Sequence, residues 1–371
     1  MWDRVEKEKV RKLLTEIATA AQALEQPLAI MEVCGTHTVA IAQSGIRDLL
    51  PAQIRLLSGP GCPVCVTDAR DLDKVISLAE RPGVIIATYG DLVRVPGSRS
   101  SLQEKRGQGA RVQVVYSALD ALELAAKYPE QEVVMLGIGF ETTAPTTAVA
   151  VEQARKRRLT NFSVLSMHKV VPPALRALLT DPEVKIDAFI NPGHVCTILG
   201  SEPFNFVAQE FHRPCVITGF EPTDILEGIW MILQQYRRQQ WQVEIQYRRA
   251  VQPQGNRVAQ EYLARYFQSV SVPWRGLGVI PDSGLALRPA FAAWDAEQKL
   301  HLGLPVISSW ENNPPAKSDE RCICGAILKG LKLPGDCPSF GHACTPLRPV
   351  GPCMVSTEGS CAAYYRFGAR K

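Results

Sequence analysis

The sequence predicts an α/β protein with two open parallel-sheet domains that face a cleft, followed by a small cysteine-rich C-terminal domain. From residue 28 to about 220, apolar runs of four to six residues alternate with helical patterns. Buried parallel strands alternate with helices in this way in βαβ units. Six of the eleven cysteines lie in the last fifty residues, which are also dense in glycine and proline. These observations define the fold class.

The chain opens with a charged, amphipathic helical pattern. Its apolar stripe consists of Val10, Leu13, Leu14, Ile17, Ala21 and Leu24. Because the segment has no uninterrupted apolar stretch, it does not resemble a signal peptide, and no later stretch is long enough to span a bilayer. We therefore expect a cytoplasmic protein without a membrane anchor.

Seven apolar runs are predicted to be strands. They cover residues 28–33, 54–57, 84–88, 133–138, 162–167, 187–190 and 215–218. Ligands of open parallel sheets bind beyond the carboxyl ends of the strands. The loops after these runs should therefore converge on one cleft, with the two layers meeting near residue 130.

The remaining segments complete the predicted organisation. A helix is expected over 222–238, with Thr223 or Asp224 as its cap, and another over about 257–269. Residues 311–315 are typical of a linker. The predicted domains are 1–130, which carries CGTH and GPGCPVC, then 131–310, and finally 311–371, which carries the cysteine-rich tail.

The charge pattern argues against nucleic-acid binding. The net charge is +4, and the basic residues are scattered along the chain. The basic run 155–158 is expected to end a helix, where cations suit the helix dipole. No aromatic platform accompanies it, so we expect no nucleic-acid partner.

Cys62 and Cys65 form the sharpest local motif of the chain body, Gly-Pro-Gly-Cys-Pro-Val-Cys at 59–65. The pair enters a helix predicted to begin near Asp68, where unpaired backbone N–H groups stabilise a thiolate. The spacing indicates a redox dithiol or a metal-binding pair. Two buried structural cysteines are the alternative interpretation.

Cys34 and His37 follow the first predicted strand as Cys-Gly-Thr-His. A thiolate beside an imidazole suits an iron, zinc or copper site, and it also suits a nucleophile. A buried cysteine at a strand end would account for Cys34 equally well. Further polar residues follow other strands, where a loop hydrogen-bonding role is the alternative: Asp91, Glu141, His168, His194 and Glu221. Cys196 and Cys215 lie inside apolar runs and are interpreted as ordinary buried residues.

The tail cysteines have the spacing C-x-C-x(12)-C-x(6)-C-x(8)-C-x(7)-C. So short a segment buries little core, while ordering each residue costs roughly 1–2 kcal/mol. Clustered cysteines in a cytoplasmic protein indicate metal or redox chemistry. The two CxxC knuckles of structural zinc sites are absent. A [4Fe–4S] cluster needs four thiolates, tolerates irregular spacing and would leave two cysteines for a dithiol. Iron–sulfur is thus favoured over zinc.

Several motifs in one order carry a family resemblance. They are CGTH (34–37), GPGCPVC (59–65), GFETTAPT (139–146), SMHKVVPPA (166–174), NPGHV (191–195) and the tail CICG…DC…AC…CMVSTEGSCAAYY. Over nearly its full length the chain resembles the HypD family of [NiFe]-hydrogenase maturation proteins. The resemblance implies a complex with the small chaperone HypC, on which the Fe(CN)2CO unit of the hydrogenase is assembled. It also implies that HypE is the cyanide donor.

The resemblance further implies roles for individual residues. Cys34 would bind the iron with His37 next to it, Cys62 and Cys65 would be a redox dithiol, and Glu141 is a further candidate catalytic residue. The tail is similar to that of ferredoxin–thioredoxin reductase. The residues implied there are Cys322, Cys337, Cys344 and Cys361 for the [4Fe–4S] cluster and Cys324 with Cys353 for a second dithiol.

Three functions remain open at this point. The first is a maturation scaffold that supplies electrons through a cluster–dithiol relay, with or without a catalysed step of its own. The second is a cluster-dependent thiol-disulfide reductase. The third is a non-catalytic scaffold whose tail metal is structural.

Overall fold

The structure is a computed structural model that describes residues 4–302 and 322–368. The strands are β1 (Leu28–Glu32), β2 (Ile54–Ser58), β3 (Val84–Thr88), β4 (Arg111–Val114), β5 (Glu132–Gly137), β6 (Phe162–Ser166), β7 (Ala188–Pro192), β8 (Cys215–Thr218), β9 (Val243–Ile245), β10 (Phe267–Trp274) and β11 (Gly278–Leu287). The predicted linker at 311–315 lies outside the described residues.

Helices connect most of these strands. The α-helices are Arg4–Ala21, Gly35–Ser44, Ile46–Leu49, Pro63–Val66, Ala69–Ala79, Leu102–Gly107, Asp120–Lys127, Ala144–Lys156, Val171–Thr180, Gly193–Leu199, Asn205–Gln209, Pro222–Arg238, Arg257–Tyr266, Ala296–Lys299, Cys324–Leu328, Pro352–Val355 and Ser360–Phe367. Short 3-10 helices cover Gly90–Arg94, Glu202–Phe204, Pro289–Trp294 and Pro334–Asp336.

Two parallel sheets confirm the predicted fold class. One has five strands in the order β2-β1-β7-β8-β9, and the other has four in the order β4-β3-β5-β6. β10 and β11 form a separate antiparallel hairpin. The cysteine-rich segment follows as a third, mostly helical and irregular unit.

The two sheets are not successive halves of the chain. β4 and β5 lie on either side of residue 130 and belong to the same sheet, whereas β7 returns from the second half to pair with β1. Each sheet therefore takes its strands from both sides of the expected junction. The prediction that the two layers meet near residue 130 is therefore wrong. The limits of the domains remain a prediction.

Two helix limits also differ from the predictions. The helix Pro222–Arg238 has the predicted span, but its N-cap is Glu221 instead of Thr223 or Asp224, because Asp224 sits at the third helical position and completes a capping box. The helix beginning at Arg257 stops at Tyr266 instead of running to 269. From Phe267 the chain pairs with β11, so long-range strand pairing overrides the helical pattern there.

The N-terminal helix packs as its apolar stripe predicts. Val10, Leu13, Ile17 and Ala21 are buried in one cluster with apolar residues of the helix Pro222–Arg238. In the described part of the chain, no helix is long and apolar enough to cross a bilayer. The basic run ends a helix as expected, with Arg155 and Lys156 in its last turn.

Candidate functional site

Cys34 links the end of β1 to the helix Gly35–Ser44, of which it is the N-cap residue. Its backbone N–H donates to Oε2 of Glu32 at 3.1 Å, and Thr38 donates its hydroxyl to Oε1 of the same carboxylate at 2.5 Å. Glu32 therefore fixes the Cys34 turn from both sides. Burial raises the pKa of the Cys34 thiol to about 12, partly offset by the neighbouring amide of His37. A cationic partner such as a metal ion would be needed to hold it as a thiolate.

The CGTH and GPGCPVC motifs lie directly against each other. The N–H of Gly35 donates to the carbonyl of Gly61 at 3.0 Å. A Cβ on Gly61 would lie 2.2 Å from the backbone nitrogen of Cys34, so only glycine permits this approach. The two motifs follow neighbouring parallel strands, which end at the same edge of the sheet. The predicted convergence of these two motifs is therefore confirmed.

Cys62 and Cys65 form a disulfide across the short helix Pro63–Val66. The N–H of Cys65 donates to the sulfur of Cys62, the N-cap residue of that helix, and Pro63 occupies its first position. Both cysteines are buried. The next helix begins at Ala69 with Asp68 as its cap, as predicted. The pair is thus a buried dithiol/disulfide directly beside the Cys34 turn.

His37 follows Cys34 in sequence, but its ring is directed toward the end of β8. Nε2 lies 2.8 Å from the carbonyl of Gly219 and 2.9 Å from the hydroxyl of Thr218, and the ring packs on Phe220. Complete burial lowers its pKa to about 4, so the ring is neutral. Nδ1 is buried without a hydrogen-bond partner among the described residues. His37 therefore ties the turn to the neighbouring strand and keeps one free ring nitrogen.

Two further candidate histidines, His168 and His194, contact side chains of the protein. His168 is buried, with its ring nitrogens near the hydroxyls of Ser166 (3.2 Å) and Thr147 (3.4 Å). His194 stacks on Phe220 with ring centroids 4.0 Å apart. Cys196 and Cys215 are fully buried, as predicted.

Glu141 follows β5 and is almost completely buried. Its Oε1 accepts the N–H of Val171 at 2.9 Å, while Oε2 has no partner among the described residues. Burial raises its pKa to about 7. Within the described residues, no cation forms an ion pair with it. Glu141 is therefore poised to exchange a proton near neutral pH.

Replacing Glu141 with glutamine should flatten the pH dependence of stability between pH 5 and 8. The folded-state pKa lies above the usual value of 4.5, so the folded protein binds the proton more tightly. The bound proton therefore stabilises the folded state fully below pH 4.5. This stabilisation is lost as the pH rises through 7, which lowers the free energy of unfolding by roughly 3 kcal/mol. Urea unfolding at a series of pH values measures it. The exposed Glu130→Gln is the control, and an unchanged slope in Glu141→Gln would contradict the assignment.

All six tail cysteines line one cavity. Its wall is otherwise mainly apolar, with Ile327, Phe340, Val350 and Met354. Cys353 is the most deeply buried of the six, and Cys322 and Cys337 are half-buried. The N–H of Val350 donates to the sulfur of Cys344 at 3.3 Å. The cavity therefore offers sulfur donors in a setting that excludes most water.

The tail thiols fall into two overlapping groups. The thiol of Cys324 interacts directly with two neighbouring thiols. Cys322 lowers the pKa of Cys324, Cys353 raises it, and the overall result is a pKa of about 12. The pKa of the Cys361 thiol is also raised. Burial is the largest cause, and the nearby thiols of Cys322 and Cys344 raise it further. Cys337 also lies close to Cys344 and Cys361.

The tail is fastened to the loops of both sheets by a turn that sequence reasoning missed. Glu358 accepts the hydroxyl of Thr36 at 2.9 Å, next to Cys34. Asp91, after β3 of the other sheet, accepts the hydroxyl of Ser356 at 2.9 Å and the N–H of Thr357 at 3.2 Å. The helix Pro352–Val355, which carries Cys353, packs against the disulfide-bearing helix Pro63–Val66. The motif Ser-Thr-Glu-Gly in the tail was the available sequence signal.

These features define a class of protein: an α/β protein in which a buried thiol, a disulfide and a cysteine-lined cavity are packed around one junction. Across residues 4–302 and 322–368, no group of three or more Cys, His, Asp or Glu side chains is arranged to hold a metal ion. The thiols of the tail surround a space instead of converging on a point.

Comparison with known proteins identifies the family. The HypD model, described as "Hydrogenase formation hypA family", matches residues 8–368. The hydrogenase maturation factor HypD of Rhizobium leguminosarum bv. viciae is 46% identical over 367 residues, covering 96% of this chain and 93% of that protein. HypD of Escherichia coli (strain K12) is 43% identical over 365 residues, covering 97% and 95%. The chain belongs to the HypD family.

Proposed function

We propose that the protein is a hydrogenase maturation factor that holds an iron unit while its diatomic ligands are attached. The relatives bear the name hydrogenase maturation factor. The observation that carries the proposal is the packing of the Cys34 turn on Gly61, which places a buried thiol beside the Cys62–Cys65 disulfide. The proposed iron ligand and a two-electron thiol couple would then lie at one junction.

Cys34 is the proposed protein ligand of the iron cargo. Cyanide and carbon monoxide bind low-spin iron(II), and a soft thiolate can anchor such a unit while leaving positions open. We propose that HypC contributes a further thiolate, that Fe(CN)2CO is assembled on the complex, and that HypE donates the cyanide. Glu32 would hold the Cys34 turn during this process, and Glu141 would be a candidate for proton exchange.

The chemistry of the residues that line the cysteine cavity supports a [4Fe–4S] cluster there. Its donors are all sulfur, its remaining wall is mainly apolar, and a backbone N–H already points at the sulfur of Cys344. Cys322, Cys337, Cys344 and Cys361 would hold the cluster, which supplies single electrons when bound. The contact between Cys324 and Cys353 supports their role as the second dithiol. Cys353 of that pair lies on the helix Pro352–Val355, which packs against the disulfide-bearing helix Pro63–Val66.

Complementation tests the proposal. The chain should restore hydrogenase activity in a host that lacks its own HypD family member, and Cys34→Ala should reduce the restored activity at least a hundredfold. Cys215→Ala removes another buried thiol, at the first residue of β8, and should retain activity. Full activity in Cys34→Ala would reject the iron-binding role. Turnover of generic protein disulfides without any partner would favour the reductase instead.

A further inference from the structure

The turn of the hairpin β10–β11 connects the disulfide to the cysteine cavity. The N–H of Arg275 donates to the carbonyl of Val66 at 2.9 Å, and its Nε donates to the carbonyl of Thr67 at 2.9 Å. These carbonyls belong to the C-terminal end of the helix that bears Cys65. Arg275 therefore caps that helix, a position where a cation is favourable.

The same turn borders the tail. Gly276 touches the tail backbone directly, since a Cβ there would lie 2.2 Å from the Cα of Gly325. The hairpin turn thus joins the helix that bears Cys65 to the tail backbone next to Cys324, more than two hundred residues away in sequence.

One nitrogen of this guanidinium is left without a partner. Nη2 of Arg275 is buried and has no hydrogen bond within the described parts of the chain. Asp68 is close enough for its pKa to be lowered by Arg275, but it is hydrogen-bonded to Arg70. A buried donor that lacks an acceptor costs about 1–3 kcal/mol, so a persistent one calls for a functional reason.

We propose that Arg275 is a positioning residue that holds the disulfide-bearing helix at the cysteine cavity and whose fixed charge makes the Cys62–Cys65 disulfide easier to reduce. The inference rests on the proposed redox function and deepens it. Reduction breaks the S–S bond and takes two electrons and one proton from a dithiol, which becomes a disulfide and releases its other proton to solvent; the protein is left with one thiol and one thiolate that share a negative charge. A nearby cation stabilises that reduced form and leaves the neutral disulfide unaffected.

A redox titration of the full-length protein tests this. The protein is equilibrated anaerobically with reduced and oxidised dithiothreitol at pH 7, then alkylated, and the peptide containing Cys62 and Cys65 is quantified by mass spectrometry. In Arg275→Met the equilibrium constant should shift about tenfold toward the disulfide, which is about 30 mV for a two-electron couple. Arg288 also bonds a carbonyl through Nε, but at the far end of the hairpin, so Arg288→Met should match wild type.

A second variant separates charge from packing. Arg275→Lys keeps the charge but loses the guanidinium fork, so it should stay within threefold of the wild-type constant, whereas a purely structural role would make it resemble Arg275→Met. If Arg275→Met does not fold by circular dichroism, Arg275→Gln replaces it with the same expected tenfold shift. A wild-type constant in the uncharged variant would overturn the inference. A wild-type disulfide that excess dithiothreitol cannot reduce would overturn the proposed redox function as well.

Discussion

Replacing Cys62 with alanine is expected to abolish hydrogenase maturation while the protein stays folded. The substitution removes one half of the disulfide beside the Cys34 turn, so no two-electron thiol couple remains at that position. The loop that the disulfide closes spans only two intervening residues, so the bond contributes little loop-closure entropy. The expected loss of activity therefore comes from chemistry and not from unfolding.

The measurement pairs activity with stability. Hydrogenase activity is assayed in extracts of a host that depends on the introduced chain, and urea unfolding is followed on the purified variant. Activity should fall at least a hundredfold, and the free energy of unfolding should change by no more than about 2 kcal/mol. Cys196→Ala, which removes another fully buried cysteine, serves as the control. Normal maturation by Cys62→Ala would refute the dithiol role.

The second large effect concerns the proposed tail cluster. Replacing Cys337 with serine should remove the cluster, because a [4Fe–4S] centre needs four thiolates and serine is a poor substitute. Anaerobically purified wild-type protein should contain about four iron and four sulfide per chain and show the visible absorption of an iron–sulfur centre. Cys337→Ser should lose both signals.

Cys353→Ser is the matched control for this experiment. Cys353 lines the same cavity but contacts Cys324, so the proposed division assigns it to the dithiol. Its serine variant should keep the full iron and sulfide content and lose only the second redox couple. Loss of the cluster in Cys353→Ser with retention in Cys337→Ser would reverse the assignment. Zinc in place of iron would favour a structural metal.

The strands were predictable where they are buried. β3 and β8 have the predicted limits, and every residue in them is buried. The edge strand β4 was missed because three of its four residues are exposed, so it shows no apolar run. The sheet to which each strand belongs could not be predicted either. All four strands of the other sheet lie between β1 and β7 in sequence, yet β1 and β7 pair with each other.

The site residues that come directly after a strand could be predicted. Cys34 and Cys62 both follow neighbouring strands and meet as expected. The residues that lock the junction were not identified, because their roles depend on contacts over long separations. Glu358 reaches Thr36 across 322 residues, and Ser356 reaches Asp91 across 265. No local pattern encodes such pairings.

Infrared spectroscopy of the purified complex tests the central claim most directly. When the chain is co-expressed anaerobically with HypC and HypE, the isolated complex should show absorption bands of iron-bound cyanide and carbon monoxide. Cys34→Ser should lose these bands, while Cys215→Ser, altered at another buried cysteine, should retain them. Absence of both kinds of band from the wild-type complex, or their persistence in Cys34→Ser, would contradict assembly of the iron unit on Cys34.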